Sequence, residues 1–289
     1  MPDPRPAPAL WLVDKPAGPT SHDIVARVRR ALPRRTKVGH TGTLDPFATG
    51  LLVVMVGRAT RLAPYMAGLD KTYRATLRTG FTSASGDPEG PIAPGGEPVD
   101  GARVAEVLPA FVGAGTQRVP ALSAVKVDGE RLYRRARRGE QVTAPQRTVV
   151  IHALEMLEDH GDGRVIIEVR CGPGTYVRSL AADIGERIGC GAYCEALRRT
   201  AVGTLSVDDA VAPEEVGEAG GLDPLRGLAH LPARRLGPGE AQRLRHGVPV
   251  DARGAAGEEP VALVYEERLL GVAVPREGLL RPAVILDAA

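Results

Sequence analysis

Residues 39–50 read Gly39-His40-Thr41-Gly42-Thr43-Leu44-Asp45-Pro46-Phe47-Ala48-Thr49-Gly50 and run directly into the all-apolar stretch Leu51–Val56. Asp45 precedes a proline, which pushes it toward an extended backbone. The glycines on either side let the chain approach a ligand closely. One carboxylate is thus presented from a Gly-punctuated loop, taken as residues 38–50, at the mouth of an apolar strand. A plain Asp-Pro turn, in which the side chain caps its own loop, fits the same spacing.

Upstream, Leu10–Val13 is a short apolar run before Asp14-Lys15-Pro16 and reads as a strand ending in a turn. Thr20 or Ser21 can cap a helix whose apolar face is Ile24, Val25, Val28, Ala31 and Leu32, with Pro33 limiting its length. Downstream, Lys71–Arg78 reads as a strand, and Tyr73 within it as a core residue or a site residue. Residues 80–98, rich in Gly, Pro and Ser, read as a long surface loop of the kind that is often functional. A helix is expected over Val99–Phe111, and paired strands over 147–157 and 164–171. The turn Gly172-Pro173-Gly174-Thr175 then opens a helix over Tyr176–Ile188. Arg178 falls in its first turn, where a cation opposes the helix dipole. Either a carboxylate from elsewhere compensates it, or it is exposed.

The 289 residues allow about two domains at roughly 150 residues each. Residues 212–235 mix acids, Gly and Pro and read as the boundary. The runs Val261–Tyr265, Leu269–Val274 and Leu280–Leu286 suit a small β module. Aromatic residues make up only 3%, so the core must be aliphatic. The cysteines, Cys171, Cys190 and Cys194, are odd in number, which favours a reducing compartment. No apolar leader segment and no apolar run of bilayer length is present. The expectation is a soluble cytoplasmic protein.

Several chemistries lack their motifs. There is no phosphate-binding GxxxxGK[ST], no GxGxxG, no HExxH and no GxSxG. Cys190 and Cys194 have no second ligand pair nearby, so a zinc site is not expected. An ATPase, a dehydrogenase and a zinc deaminase are disfavoured. The net charge is only +2, but its distribution is uneven. Residues 27–37 hold six basic residues and no acid, and residues 118–147 hold eight basic residues against three acids. Two such segments suit either a joint phosphate-binding surface or two solvated faces.

Read together, DKPAGPTSHDIV, GHTGTLDPFATGLL, DKTY, PALSAVKVDGERLYRRAR and CGPGTYVRSLAADIG resemble, in the same order, the TruB family of bacterial tRNA pseudouridine-55 synthases. The likeness covers roughly residues 10–205. It implies Asp45 as the essential nucleophile or ribose-directed carboxylate, Arg178 as its partner, and Tyr73 as the active-site tyrosine. It further implies that Tyr176 and Leu197 line the uracil pocket and that His40 fills the gap left by a flipped base. Lys15 and Tyr133 follow as pocket support and RNA contact. Where the family often carries Thr-Asp-Thr, this chain has Thr82-Ser83-Ala84-Ser85, although Asp87 and Gly90 remain, so an acid at position 83 has no role here. The C-terminal segment matches only loosely.

The fold so implied is α/β (α+β): a mixed, largely antiparallel central sheet of the pseudouridine synthase type. Residues 1–230 would form the catalytic domain, 118–147 an RNA-gripping thumb insertion, and 231–289 a small β-rich RNA-binding module similar to a PUA domain. The family converts a T-loop uridine of tRNA to pseudouridine with no cofactor and no metal. The expected partner is the tRNA T-arm, with no membrane, no obligatory protein partner and a monomeric state. A non-catalytic tRNA-binding or folding factor on the same scaffold is the alternative, and a guide-RNA-dependent relative a third. Because phosphate contacts would dominate binding, affinity for T-arm RNA should fall steeply from low to high salt in a filter-binding titration; a flat dependence would contradict the basic-surface reading.

Overall fold

Seven consecutive residues, Gly50–Val56, are all buried. A run of this kind cannot alternate between core and solvent, so it must sit inside a sheet covered on both faces. The computed structural model describes residues 6–120, 126–127, 130–131, 138, 145–217, 220–253 and 257–287. Tyr133 and most of the expected thumb, 118–147, lie outside these described residues.

The strands in chain order are β1 (Ala9–Lys15), β2 (Val38–Thr41), β3 (Thr49–Val56), β4 (Lys71–Thr79), β5 (Phe81–Ser83), β6 (Ile92–Pro94) and β7 (Gly113–Arg118). Then come β8 (Lys126–Val127), β9 (Glu130–Arg131), β10 (Gln146–Asp159), β11 (Arg164–Cys171), β12 (Ala192–Val202) and β13 (Leu205–Ser206). The C-terminal part holds β14 (Ala233–Arg235), β15 (Val250–Asp251), β16 (Val261–Tyr265), β17 (Arg268–Arg276) and β18 (Leu279–Ile285).

Among the described residues, the central sheet runs β1-β3-β12-β4-β11-β10-β7, with β2 added to β3 and β13 to β12. All of its pairings are antiparallel except β12 with β3. This is the mixed, largely antiparallel sheet expected. One edge of β3 is shared. β2 pairs with residues 53–56 of that strand, and β12 pairs with Thr49 and Gly50. The loop between β2 and β3, which carries Asp45, emerges at the seam where one partner gives way to the other.

Three differences from the sequence reading have physical causes. Residues 38–41 were expected in a loop but form β2; a four-residue VGHT strand has no apolar alternation, and pairing with β3 supplies what the local pattern lacks. Residues 80–98 contain the β5–β6 hairpin rather than loop alone. The long central strand β12 was not anticipated at all. Bulges after Cys194 and after Arg199 break its period-two pattern, hiding the strand from a periodicity reading.

The helix Ser21–Arg30 starts at Thr20, whose hydroxyl accepts from the Asp23 amide while the Asp23 carboxylate accepts from the Thr20 amide. This reciprocal cap fixes the entry to the helix. The helix Val177–Ile188 buries Val177, Leu180, Ala181 and Ile184 at helical spacing and ends at Gly189, φ +91°. It packs on the start of β12, with Leu44, Tyr73, Ile167 and Leu197 in the same core.

The second sheet has order β14-β16-β17-β18-β15 and its own core around Leu244, Leu263 and Leu280. Ala262, Leu269 and Val272 of this sheet also pack in one cluster with Leu10, Leu12, Leu51 and Val53 of the first.

Gly185 marks the closest approach of helix to sheet. A Cβ there would stand 2.0 Å from the Ala192 backbone nitrogen. Gly185→Ala must therefore lift the helix off β12. It should lower unfolding free energy by about 1–3 kcal/mol in a denaturant titration, despite the better helix propensity of alanine.

Candidate active site

Asp45 sits between an apolar floor and a set of backbone clamps. Ser21 Oγ donates to the Leu44 carbonyl at 3.0 Å and accepts from the Leu44 amide at 2.8 Å. Lys15, fully buried, donates to the carbonyls of Pro16, Pro46 and Ala48 at 2.9, 3.1 and 2.7 Å. The Gly18 amide donates to the Pro46 carbonyl. The loop is thereby held at Leu44, Pro46 and Ala48, and the Asp45 side chain is left as its protruding group. The bare Asp-Pro turn is too small a description: most of what holds this loop comes from residues far away in sequence.

Arg178 is buried, and among the described residues two carboxylates from different segments meet it. Its Nε lies 3.0 Å from Asp45 Oδ2, and its Nη1 lies 2.7 Å from Asp87 Oδ2. Nη1 also donates to the Ser85 carbonyl at 3.0 Å. Asp87 is 2% exposed, whereas Asp45 is 33% exposed. The buried carboxylate is therefore structural and the accessible one is free to meet a ligand. Asp87 is itself fixed by the Ser85 hydroxyl at 2.5 Å and the Glu89 amide at 3.0 Å. The exposed-arginine reading of Arg178 is excluded, and the compensating carboxylate inferred from the helix dipole is present twice.

The electrostatics follow from this arrangement. Burial raises the Asp45 carboxyl above its ordinary range; Arg178 opposes that shift, Asp87 adds to it, and Lys15 opposes it. Burial also pushes Lys15 down to about 8, against the pull of Asp45. The Tyr73 hydroxyl is raised by burial, with the Arg199 guanidinium acting the other way. His40 is lowered by burial and by Arg199, so its ring stays neutral, and its Nδ1 is buried without a hydrogen-bond partner among the described residues.

Of the residues singled out in the sequence, Asp45, Arg178, Lys15 and Tyr73 share one charge environment. Leu197 packs with Leu44 and Tyr73 in the core beneath them. Tyr176 precedes the Arg178 helix, its backbone held from both sides by the Gln117 amide, at 3.0 and 3.3 Å. Tyr133 lies outside the described residues.

Three further residues were missed as site residues. Ser85 and Asp87 sat in a stretch read only as a functional loop, where the surviving Asp of Gly86-Asp87 was the one available signal. Arg199 is 1% exposed and carried no sequence signal, because it belongs to a strand that was not anticipated.

Among the described residues no three His, Cys, Asp or Glu side chains are grouped as ligands. All three cysteines are unpaired and buried, and burial pushes Cys171 up to about 11 and Cys194 up further, so both stay thiols.

Comparison with known proteins gives the same family twice. The TruB family pseudouridylate synthase N-terminal domain model matches residues 29–177, and the tRNA pseudouridylate synthase B C-terminal domain model matches 178–222. The tRNA pseudouridine synthase B of Synechococcus sp. (strain WH7803) is 43% identical over 294 residues, covering 96% of this chain and 97% of that protein. The protein of the same name from Thermobifida fusca is 43% identical over 291 residues, covering 96% and 98%. Among solved structures, a chain of a Cbf5-Nop10-Gar1 complex superimposes with TM-score 0.75 at 23% identity, covering all of this chain and 91% of that one. At that identity the likeness speaks for the fold.

The raised Asp45 carboxyl fixes a pH expectation for any reaction that needs it ionised. The acid limb of the single-turnover rate profile should lie above the ordinary aspartate value of about 3.9. A limb at or below that value would mean that Arg178, rather than burial, controls the group.

Proposed function

Since the chain belongs to the TruB family of pseudouridylate synthases, we propose that its Asp45–Arg178–Asp87 cluster is the centre at which a T-loop uridine of tRNA is isomerised. The protein is an enzyme that converts uridine in tRNA to pseudouridine. In that reaction the bond from N1 of uracil to C1′ of ribose breaks and a bond from C5 to C1′ forms. A proton leaves C5, and N1 ends carrying one. No atoms are gained or lost, so no co-reactant is consumed.

The observation that carries the site assignment is the asymmetric pair of carboxylates on Arg178. Asp87 holds the guanidinium from within, and Asp45 meets it from the solvent side. Arg178 favours the ionised form of Asp45 and aims it, which a nucleophilic or ribose-directed carboxylate requires. A covalent intermediate on Asp45 would divide one hard step into two easier ones. Tyr73 offers a ring on which the base can stack and a neutral hydroxyl for proton transfer at C5. Tyr176 and Leu197 would complete the uracil pocket, and Lys15 supports the Asp45 loop.

The target uridine must leave its stack, at a cost of a few kcal/mol. Stacking on aromatic rings contributes roughly 1–3 kcal/mol per base, so one or two contacts offset that cost. His40, neutral and half-buried beside the loop, would fill the vacated space. Recognition would be largely by shape and phosphate, with the flipped base read specifically. Position 55 of the T-loop is the target we propose. The C-terminal sheet, residues 231–289, is taken as a PUA-like RNA-binding module, and 118–147 as the thumb.

We assign the protein to a reducing cytoplasm, acting as a monomer without an obligatory protein partner. Three unpaired buried cysteines fit that compartment, and among the described residues no helix is long and apolar enough to cross a membrane. The alternative of a non-catalytic folding factor is not favoured, because Asp45, Arg178 and Tyr73 are all in place.

The test uses T-arm RNA tritiated at uracil C5 and the full-length protein with no added cofactor. Tritium should be released by the native protein and not by Asp45→Ala, with RNA affinity retained. Tight binding without release by the native protein would instead favour the folding-factor or guide-dependent reading.

A further inference from the structure

Among the described residues, Arg199 is the largest of the fully buried side chains. Its Nε donates to the Leu51 carbonyl at 2.8 Å and its Nη2 to the Gly42 carbonyl at 2.9 Å. Both acceptors belong to the seam of the central sheet. Leu51 lies on β3 between the residues paired to β12 and those paired to β2. Gly42 is the first residue after β2, φ +75°, and opens the Asp45 loop. The guanidinium thus replaces the ladder bonds that the change of partner interrupts, and it ties the start of the loop to β3.

Across the sheet, Arg199 stands opposite Tyr73 in the β12–β4 register. Arg199, Cys171 and Asp45 are the ionisable groups that act on the Tyr73 hydroxyl, Arg199 favouring its ionised form. No carboxylate pairs with Arg199 among the described residues; its hydrogen bonds go to backbone carbonyls. Burying an unneutralised cation is costly, and an apolar side chain of similar size would avoid that cost. A purely structural need could be met by backbone pairing. Keeping a guanidinium here makes sense if its charge is used by the neighbouring tyrosine and its fork by the two carbonyls.

We propose that Arg199 is a positioning residue for the isomerisation: it ties the Gly42 carbonyl to the strand position opposite Tyr73, fixing the tyrosine relative to Asp45. This rests on the roles given above to Asp45 and Tyr73. Substrate binding is not its task, because Arg199 is enclosed beneath the loop. Its loss is therefore felt in the chemical step and not in RNA affinity. Lysine keeps the charge but has no planar fork to reach two carbonyls together.

The test compares the full-length native protein with Arg199→Lys and Arg199→Gln. Three quantities are read: single-turnover tritium release at saturating T-arm RNA, the RNA dissociation constant, and the titration of Tyr73. The last is followed by fluorine NMR of 3-fluorotyrosine protein, with Tyr73→Phe identifying the resonance. Both variants are expected to bind RNA with near-native affinity and to lose roughly tenfold or more in rate, on the scale of a misaligned proton-transfer group. The Tyr73 resonance should titrate at higher pH in Arg199→Gln than in the native protein. Native turnover in Arg199→Lys, or a Tyr73 titration unmoved in Arg199→Gln, overturns the proposal. Should Arg199→Gln fail to fold, Arg199→Lys carries the rate test. A native protein without turnover would refute the functional reading instead, and the Tyr73 titration would still decide the role of Arg199.

Discussion

The site depends on one guanidinium shared by two carboxylates. Arg178 is brought in by a helix, Asp87 by the loop that joins the strands of a short hairpin, and Asp45 by the loop between two strands of the central sheet. A buried arginine with one partner removed would be a strongly destabilising charge, by about 3–5 kcal/mol. With both present, the three segments are locked to one another. The difference in exposure then assigns the work: Asp87 holds Arg178, and Arg178 holds Asp45.

Around that lock, buried cations are spent on backbone carbonyls. Lys15 binds the Asp45 loop from β1, Arg199 binds its start from β12, and Lys71 caps the carbonyls of Ala67 and Leu69 ahead of β4. A loop that must present a carboxylate cannot pair its own amides and carbonyls in a ladder, and burying them unpaired would be costly. Long side chains from neighbouring strands solve this. Of these, Lys15 acts on Asp45, and together with Arg178 it partly offsets the effect of burial on that carboxyl.

The sequence was legible where local chemistry is self-contained. The apolar run 51–56, the capped helix after Thr20, the strand at Tyr73 and the helix after Gly174 all carry their determinants within a few residues. The same is true of Asp45, which stands in a long and specific motif, and of Arg178, whose unfavourable place in a helix first turn called for a partner. β12 and Arg199 were illegible for the opposite reason. Bulges destroy the strand's periodicity, and an arginine in a strand reads as solvent-facing until the seam that it fills is known. Asp87 could be noticed but not interpreted, since its partner lies on a helix 91 residues further along the chain.

From the sequence by itself the family followed, because its motifs are contiguous; the largely antiparallel α/β (α+β) sheet and the candidate site residues followed from the resemblance those motifs carry. The tertiary structure alone decided which carboxylate is held and which is free. It also decided which cations clamp the loop and where the shared edge of β3 changes partner. Those are properties of burial and of distance between segments far apart in the chain, and no local pattern encodes them.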